Sequence, residues 1–236
     1  MVLAAGLGQR MRPLTDRLPK PLIAVNGRPL IDRVLERLAA VGVEEAVVNL
    51  HHLGPALRAH LEGWQAPRIV FSQEEELLET GGGVAKALPL LGEAPFFVVN
   101  GDVLWLDGTT AALQRMAEHW DDARMDALLL VHATVTAHGY QGDGDFRMGQ
   151  DGRLSERPER ELAPYVFTGI QILSPRLFAG CAVEPFPLMD LYRRSAWHGR
   201  LYGMRHLGEW FHVGTPEDLT ATEEELAKLG FHPGEG

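Results

Sequence analysis

The sequence predicts an α/β fold in which a mostly parallel sheet carries helices on both faces. Two observations predict it. Short apolar runs alternate with segments of helical apolar spacing, the order that winds a parallel sheet. The runs at 96–99 (Phe-Phe-Val-Val) and 127–131 (Ala-Leu-Leu-Leu-Val) are apolar without alternation, as strands covered on both faces require.

Residues 2–5 read as a strand that empties into a Gly-, Arg- and Pro-rich loop reaching Gly27. Residues 29–41 are helical, with apolar side chains at Leu30, Ile31, Val34, Leu35, Leu38 and Val41 and a stop at Gly42. A strand at 46–50, a short helix at 55–61 and a strand at 68–71 follow. Residues 82–91 read as loop then helix, 96–100 as a fourth strand, 110–120 as a helix and 127–131 as a fifth strand. Beyond His132 the character changes. Residues 138–153 are rich in Gly and Asp, with a hairpin turn at Asp151-Gly152. Strands at 165–173, 200–204 and 210–213 then alternate with helices at 188–195 and 216–229, and a frayed tail closes the chain at 233–236. The second half thus reads as an α+β extension of the first. The opening strand has only about four residues before Gly6, against a usual five or six. Either the native start lies upstream or the strand is short.

At 236 residues the chain can bury a sizeable core. Its net charge of −10 argues against a nucleic-acid or anionic-membrane binder, which needs a basic surface. Cys181 is the only cysteine, which excludes an internal disulfide and a thiolate zinc cluster; between Gly180 and Ala182 it reads as a small apolar filler. No apolar run approaches the ~20 residues that span a bilayer, so the cytoplasm is the default compartment.

Four segments carry chemistry. The first is Leu3-Ala-Ala-Gly-Leu-Gly-Gln-Arg-Met-Arg-Pro-Leu-Thr15, where Gly6 and Gly8 allow close backbone approach and turn amides form an anion nest. Arg10, Arg12, Arg17 and Lys20 face a single acid, Asp16, a local reversal of charge that suits a polyphosphate. The loop is neither a dinucleotide fingerprint nor a Walker A motif. Pro19-Lys20-Pro21 projects a lysine from a stiffened backbone. The second is Glu79-Thr-Gly-Gly-Gly83, read as a helix-entry loop with free N-terminal amides. The third is Asn100-Gly-Asp102 at the C-terminal end of an apolar strand, where open α/β sheets bind ligands. The fourth is Trp210-Phe-His-Val-Gly-Thr-Pro216. Elsewhere, His51 and His52 are adjacent and point to opposite faces, and His60, His119, His138 and His198 lack partner spacing and read as solvated.

Taken together, Leu3-Ala-Ala-Gly, Arg-Met-Arg-Pro-Leu-Thr and Pro19-Lys-Pro-Leu22 resemble the signature of the sugar nucleotidyltransferase family. The resemblance implies a Rossmann-like domain over 1–236, with a nucleotide-binding half to about 132 and a sugar-binding half from about 133. It implies that Ala4, Ala5, Gly6, Gly8, Arg10, Arg12 and Lys20 wrap the triphosphate. Glu79, Gly81 and Gly82 would then line the base. Arg10, Lys20 and Asp102 become the catalytic residues, with Asp102 holding Mg²⁺. Where the family carries a second metal-binding aspartate, this chain has His212, and neutral imidazole is a poor ligand for that hard ion. Three readings of His212 stay open: a ligand for Mn²⁺ or a similar ion, a group binding the sugar phosphate, or a structural residue. The Glu-Thr-Gly-Gly-Gly loop and Gly142-Asp-Gly-Asp-Phe-Arg147 resemble the members that join UTP to N-acetylmuramate 1-phosphate in peptidoglycan recycling. Asn100, Asp145, Thr168, Gly169 and His212 would meet the sugar. The expected partners are a nucleoside triphosphate and a sugar 1-phosphate, with no nucleic acid or membrane, on a monomer or small homo-oligomer. The alternatives are a guanylyltransferase acting on mannose 1-phosphate or a heptose phosphate, and a non-catalytic nucleotide-sugar sensor.

Overall fold

The computed structural model describes residues 1–232. Strands β1 (Val2–Leu3), β2 (Glu45–Leu50), β3 (Arg68–Gln73) and β4 (Phe96–Asn100) alternate with helices α1 (Leu30–Ala40), α2 (Gly54–Leu61) and α3 (Glu79–Leu91). Helix α4 (Ala112–His119), β5 (Ala127–Ala133), β6 (Tyr165–Leu173), α5 (Leu188–Trp197), β7 (Leu201–Arg205) and α6 (Pro216–Lys228) complete the frame. The strands lie in the order β3-β2-β1-β4-β6-β5-β7. All neighbours run parallel except β6, which is antiparallel to both β4 and β5. A hairpin of Phe146–Met148 and Leu154–Glu156 joins the sheet where Phe146 pairs with Tyr165, its turn carrying Gly152 at φ +81° as the Asp151-Gly152 pair predicts.

Strand alternation explains the unbroken apolar runs. Val48, Val99, Leu128 and Leu130 pack into one core with Ile31, Val34, Leu35 and Leu38 of α1. Their chain neighbours Val47, Val98, Leu129 and Val131 pack into a second core on the other face, with Val84, Ala87, Leu191 and Tyr192. Each strand therefore feeds two hydrophobic layers, and neither face is left for polar residues.

Strand β1 is short, one of the two expectations for it. Its ladder is extended by Val99 N–H on Met1 O (3.0 Å) and Gly101 N–H on Leu3 O (2.8 Å). Two small pairings join segments of which only the 210–213 run reads as a strand in the sequence. Leu104–Leu106 pairs with Glu209–Phe211, and Ala24–Val25 with Arg28–Pro29. The first pins the 209–213 segment beside the end of β4. Helix α6 opens with a capping box: Thr215 Oγ1 accepts from Asp218 N–H (3.1 Å), and Asp218 Oδ2 accepts from Thr215 N–H (2.9 Å) and Gly214 N–H (3.0 Å). The tail at 233–236 lies outside the described residues.

Candidate active site

The loop after β1 is held from below. Ala4 N–H donates to Asn49 Oδ1 (2.6 Å), Asn49 Nδ2 to Glu74 Oε1 (2.7 Å), and Leu78 N–H to Glu74 Oε2 (3.1 Å). Glu74 is only 1% exposed, so this chain of hydrogen bonds runs through the interior and ties the first loop to the start of α3. Farther along, Gly8 adopts φ +60° and lies so close to Thr15 and Lys20 that a Cβ would meet Thr15 Cγ2 at 2.8 Å. Thr15 Oγ1 donates to Gly8 O (2.8 Å) and completes the fold-back.

Lys20 opens a short turn, Lys20–Leu22, flanked by extended Pro19 and by buried Pro21. Its Nζ donates to Asp102 Oδ2 at 2.6 Å. Asp102 follows β4, with Gly101 packed against Leu3 O. The sheet thus brings residues 82 apart in sequence into an ion pair at the C-terminal ends of parallel strands.

Two clefts meet at that pair. The larger, about 670 Å³, is lined by Ala4, Ala5, Gly6, Gly8, Glu79 and Thr80 among others. The smaller, about 240 Å³, is lined by Tyr140, Asp145, Thr168, Gly169, Trp210 and His212 among others. Arg10, Lys20, Asn100 and Asp102 line both. Residues expected to hold a nucleotide and residues expected to hold a sugar therefore face adjoining spaces, with the expected catalytic residues in the shared wall.

The smaller cleft borders an irregular stretch of β6. Its register with β5 shifts between Phe167 and Gln171, around Gly169 at φ +83°. A Cβ on Gly169 would lie 2.7 Å from Val103 Cγ1 and 2.8 Å from Asn100 Nδ2. Trp210 Nε1 donates to Thr168 O (3.1 Å) at this point. Asp145 Oδ2 accepts from Phe167 N–H (2.8 Å), and burial holds its carboxyl above the usual carboxylate range. The His212 ring lies 6.0 Å from the rings of both Tyr140 and Trp210. Burial, assisted by the positive charges of Arg10 and Lys20, pushes its pKa below the ordinary histidine value, which favours the neutral ring.

Several expectations need correction. Arg12 is turned to solvent and pairs with Asp16 at 3.2 Å, so it does not line either cleft. The triple glycine is not a loop before a helix but the first turn of α3, which begins at Glu79. Gly81 and Gly82 N–H both point to Phe186 O (2.8 and 3.3 Å), and a Cβ on Gly82 would lie 2.1 Å from Glu184 O. These glycines admit the 184–186 segment, and neither is among the residues that line the larger cleft. Glu79, held left-handed at φ +57°, does line the larger cleft. Thr168 borders the smaller cleft, yet its hydroxyl donates inward to Leu130 O (2.8 Å). His138 is not solvated: it pairs with Glu209 at 2.7 Å and stacks on Phe211. Asn49, Glu74, Leu77 and Tyr140 are site residues without a sequence motif, and Thr80 lies in the second motif without having been singled out. Only the polar ends of two apolar strands hinted at the first two.

This arrangement defines a class: an α/β protein whose glycine loop and basic residues line one cleft that adjoins a second. The Nucleotidyl transferase family matches residues 1–228, and the chain belongs to that family, among its sugar-1-phosphate nucleotidyltransferases. It is 44% identical to the N-acetylmuramate alpha-1-phosphate uridylyltransferase of Caulobacter vibrioides, covering 97% of this chain and 96% of that one. The protein of the same name from Neisseria meningitidis is 40% identical, over 91% and 92%. A crystal structure of UDP-glucose pyrophosphorylase complexed with UDP-glucose shares the fold, with a TM-score of 0.77 at 19% identity and 97% coverage of both chains. No helix among the described residues is long and apolar enough to cross a membrane.

Proposed function

We propose that this chain joins UTP to N-acetylmuramate 1-phosphate, releasing pyrophosphate and forming the UDP-sugar for peptidoglycan recycling. The observation that carries this reading is the wall of Arg10, Lys20, Asn100 and Asp102 shared by the two clefts. A phosphate oxygen of the sugar 1-phosphate attacks the α-phosphorus of UTP. The bond from that phosphorus to the bridging oxygen breaks, and pyrophosphate leaves with the oxygen and its charge. The attacking oxygen is already ionised, so no general base is needed. Alignment and charge stabilisation are what the site must supply.

Arg10 and Lys20 line both clefts, which supports this role for them, and phosphate oxygens would compete with Asp102 for Lys20. The residues present fit a Mg²⁺ ion. Asp102 offers a hard oxygen ligand at the junction, of the kind taken by an ion that keeps phosphate and water ligands. When bound, such an ion would supply charge neutralisation beside Asp102. His212, a neutral ring in the sugar-side cleft, is assigned to the sugar phosphate rather than to the metal.

Pyrophosphate release measured with Mg²⁺ across a grid of nucleoside triphosphates and sugar 1-phosphates tests the proposal. Release is expected with UTP and N-acetylmuramate 1-phosphate, and loss by at least about a hundredfold in Asp102→Asn. Release confined to GTP with mannose 1-phosphate would overturn the substrate pair. Nucleotide binding without release in any combination would make the protein a sensor.

A further inference from the structure

Glu74 and Asn49 are both almost fully buried, yet the Glu74 carboxylate is paired with no Lys, Arg or His among the described residues. Its oxygens meet only neutral donors, Asn49 Nδ2 at 2.7 Å and Leu78 N–H at 3.1 Å. The His51 ring meets the Glu74 carbonyl instead, with Nδ1 3.1 Å from it. A carboxylate buried without a cation is costly, and well-packed apolar residues would serve stability as well. What the carboxylate does provide is a link between two separate stretches of chain.

Both stretches border the larger cleft. Asn49 Oδ1 accepts from Ala4 N–H (2.6 Å), and Ala4 shares the lining with Ala5, Gly6, Gly8 and Arg10. Leu78 stands between Leu77 and Glu79, which line the same cleft. Glu79 is left-handed at φ +57°, a strained state that persists only where its surroundings fix it. Leu78 fixes it from one side, its N–H held by Glu74 and its carbonyl by Phe186 N–H (3.3 Å). Glu74 is anchored in turn, its own N–H donating to Leu50 O (2.8 Å). Helix α3 closes on the pair, since a Cβ on Gly83 would lie 2.9 Å from Glu74 Oε1 and 3.1 Å from Asn49 Nδ2. Glu74 itself lines neither cleft.

We infer that Glu74 is a positioning residue for the nucleotide. Through Asn49 and Leu78 it holds the glycine loop and the start of α3 at one fixed separation, so the larger cleft is formed before its ligand arrives. A cleft ordered in advance leaves less ordering to oppose binding. The inference rests on the reading above, in which the larger cleft takes the nucleoside triphosphate.

The test reverses one hydrogen bond. In Glu74→Gln the new amide can answer Leu78 N–H with its oxygen, but its nitrogen then faces Asn49 Nδ2, donor against donor. Adding Asn49→Asp restores the chain: the new carboxylate accepts from Ala4 N–H and from the new amide, and the buried charge is kept. The dissociation constant of UTP with Mg²⁺ and the KM of N-acetylmuramate 1-phosphate at saturating UTP are measured in the parent, Glu74→Gln and the double variant. Glu74→Gln is expected to weaken UTP binding about tenfold, as an unpaired buried donor implies, with the sugar phosphate KM within about twofold. The double variant is expected to return to within about threefold of the parent. If Glu74→Gln does not fold, Glu74→Asp carries the same expectation, since it keeps the charge on an arm too short to meet both donors. Unchanged UTP binding, an equal loss on both substrates, or a double variant no tighter than Glu74→Gln would overturn the inference. A parent that binds a different nucleoside triphosphate would overturn the functional reading alone, and the same comparison with that nucleotide then decides the inference. A parent that binds none would overturn both.

Discussion

At the scale of single residues, the Lys20–Asp102 pair holds the two charges on which the proposed transfer depends. Each side chain is partly withdrawn from water, at 15% and 30% exposure, and each is the other's partner at 2.6 Å. Lys20→Met should reduce kcat by about two to three orders of magnitude, the range expected when one donor to a developing charge is removed. Rapid-quench or steady-state pyrophosphate release would measure it, and a loss of less than about fivefold would exclude Lys20 from the reacting centre. Arg10, Lys20 and Asp102 were legible because each sits in a short motif with its own chemical logic. Asn49 and Glu74 were not. Their roles arise when β2 and β3 align and deliver them to one point beneath Ala4, and no local spacing encodes that alignment.

Among the elements, α3 shows where local propensity misleads. Three consecutive glycines disfavour a helix by about 1 kcal/mol each relative to alanine, so the sequence reads as a loop there. The structure winds them into the helix where the 184–186 segment approaches Gly81 and Gly82, and Glu74 and Asn49 approach Gly83, too closely for a Cβ. Packing demand outweighs backbone entropy. Gly82→Ala should therefore destabilise the fold by about 1–3 kcal/mol, the usual range for overpacking, read from a urea unfolding midpoint. Gly6→Ala makes the opposite case. A Cβ at Gly6 meets nothing within 4 Å, yet the residue borders the larger cleft. Its unfolding midpoint should stay near that of the parent while nucleotide affinity weakens. A normal affinity would remove Gly6 from the binding loop. Strand β6 was read from the sequence with its observed bounds, Tyr165–Leu173, whereas the break within it at Gly169 was not, since a single glycine inside an apolar run does not announce a register shift.

For the whole molecule, the sheet order and both cores follow from the alternation of apolar runs and helices, which is why the fold class is legible in the residues alone. The tightly buried histidines are not. His132 and His206 are 4% and 2% exposed, with ring centroids 5.7 Å apart, and burial pushes both below the ordinary histidine pKa, as it does His212. The folded protein keeps these rings neutral at a pH where the unfolded chain begins to take up protons. Stability should therefore decline as pH falls below about 6.5, where unfolded histidine protonates, adding to a loss that begins below about pH 8 because burial holds the pKa of the Met1 amino group down to about 5. Urea midpoints between about pH 8 and 5 would show this, with a shallower decline in His132→Phe. A decline as steep in the variant as in the parent would remove His132 from the account.

The wall common to both clefts also bears on how such a protein can be changed. Four residues, Arg10, Lys20, Asn100 and Asp102, are all that the two spaces have in common. A library of substitutions confined to Tyr140, Asp145, Phe167 and Val213 would vary the acceptor while leaving the donor's contacts untouched, and one confined to Leu77, Glu79 and Thr80 would do the reverse. New donor–acceptor combinations could then be assembled from two independent searches, which makes this small chain a divisible starting point for catalyst engineering.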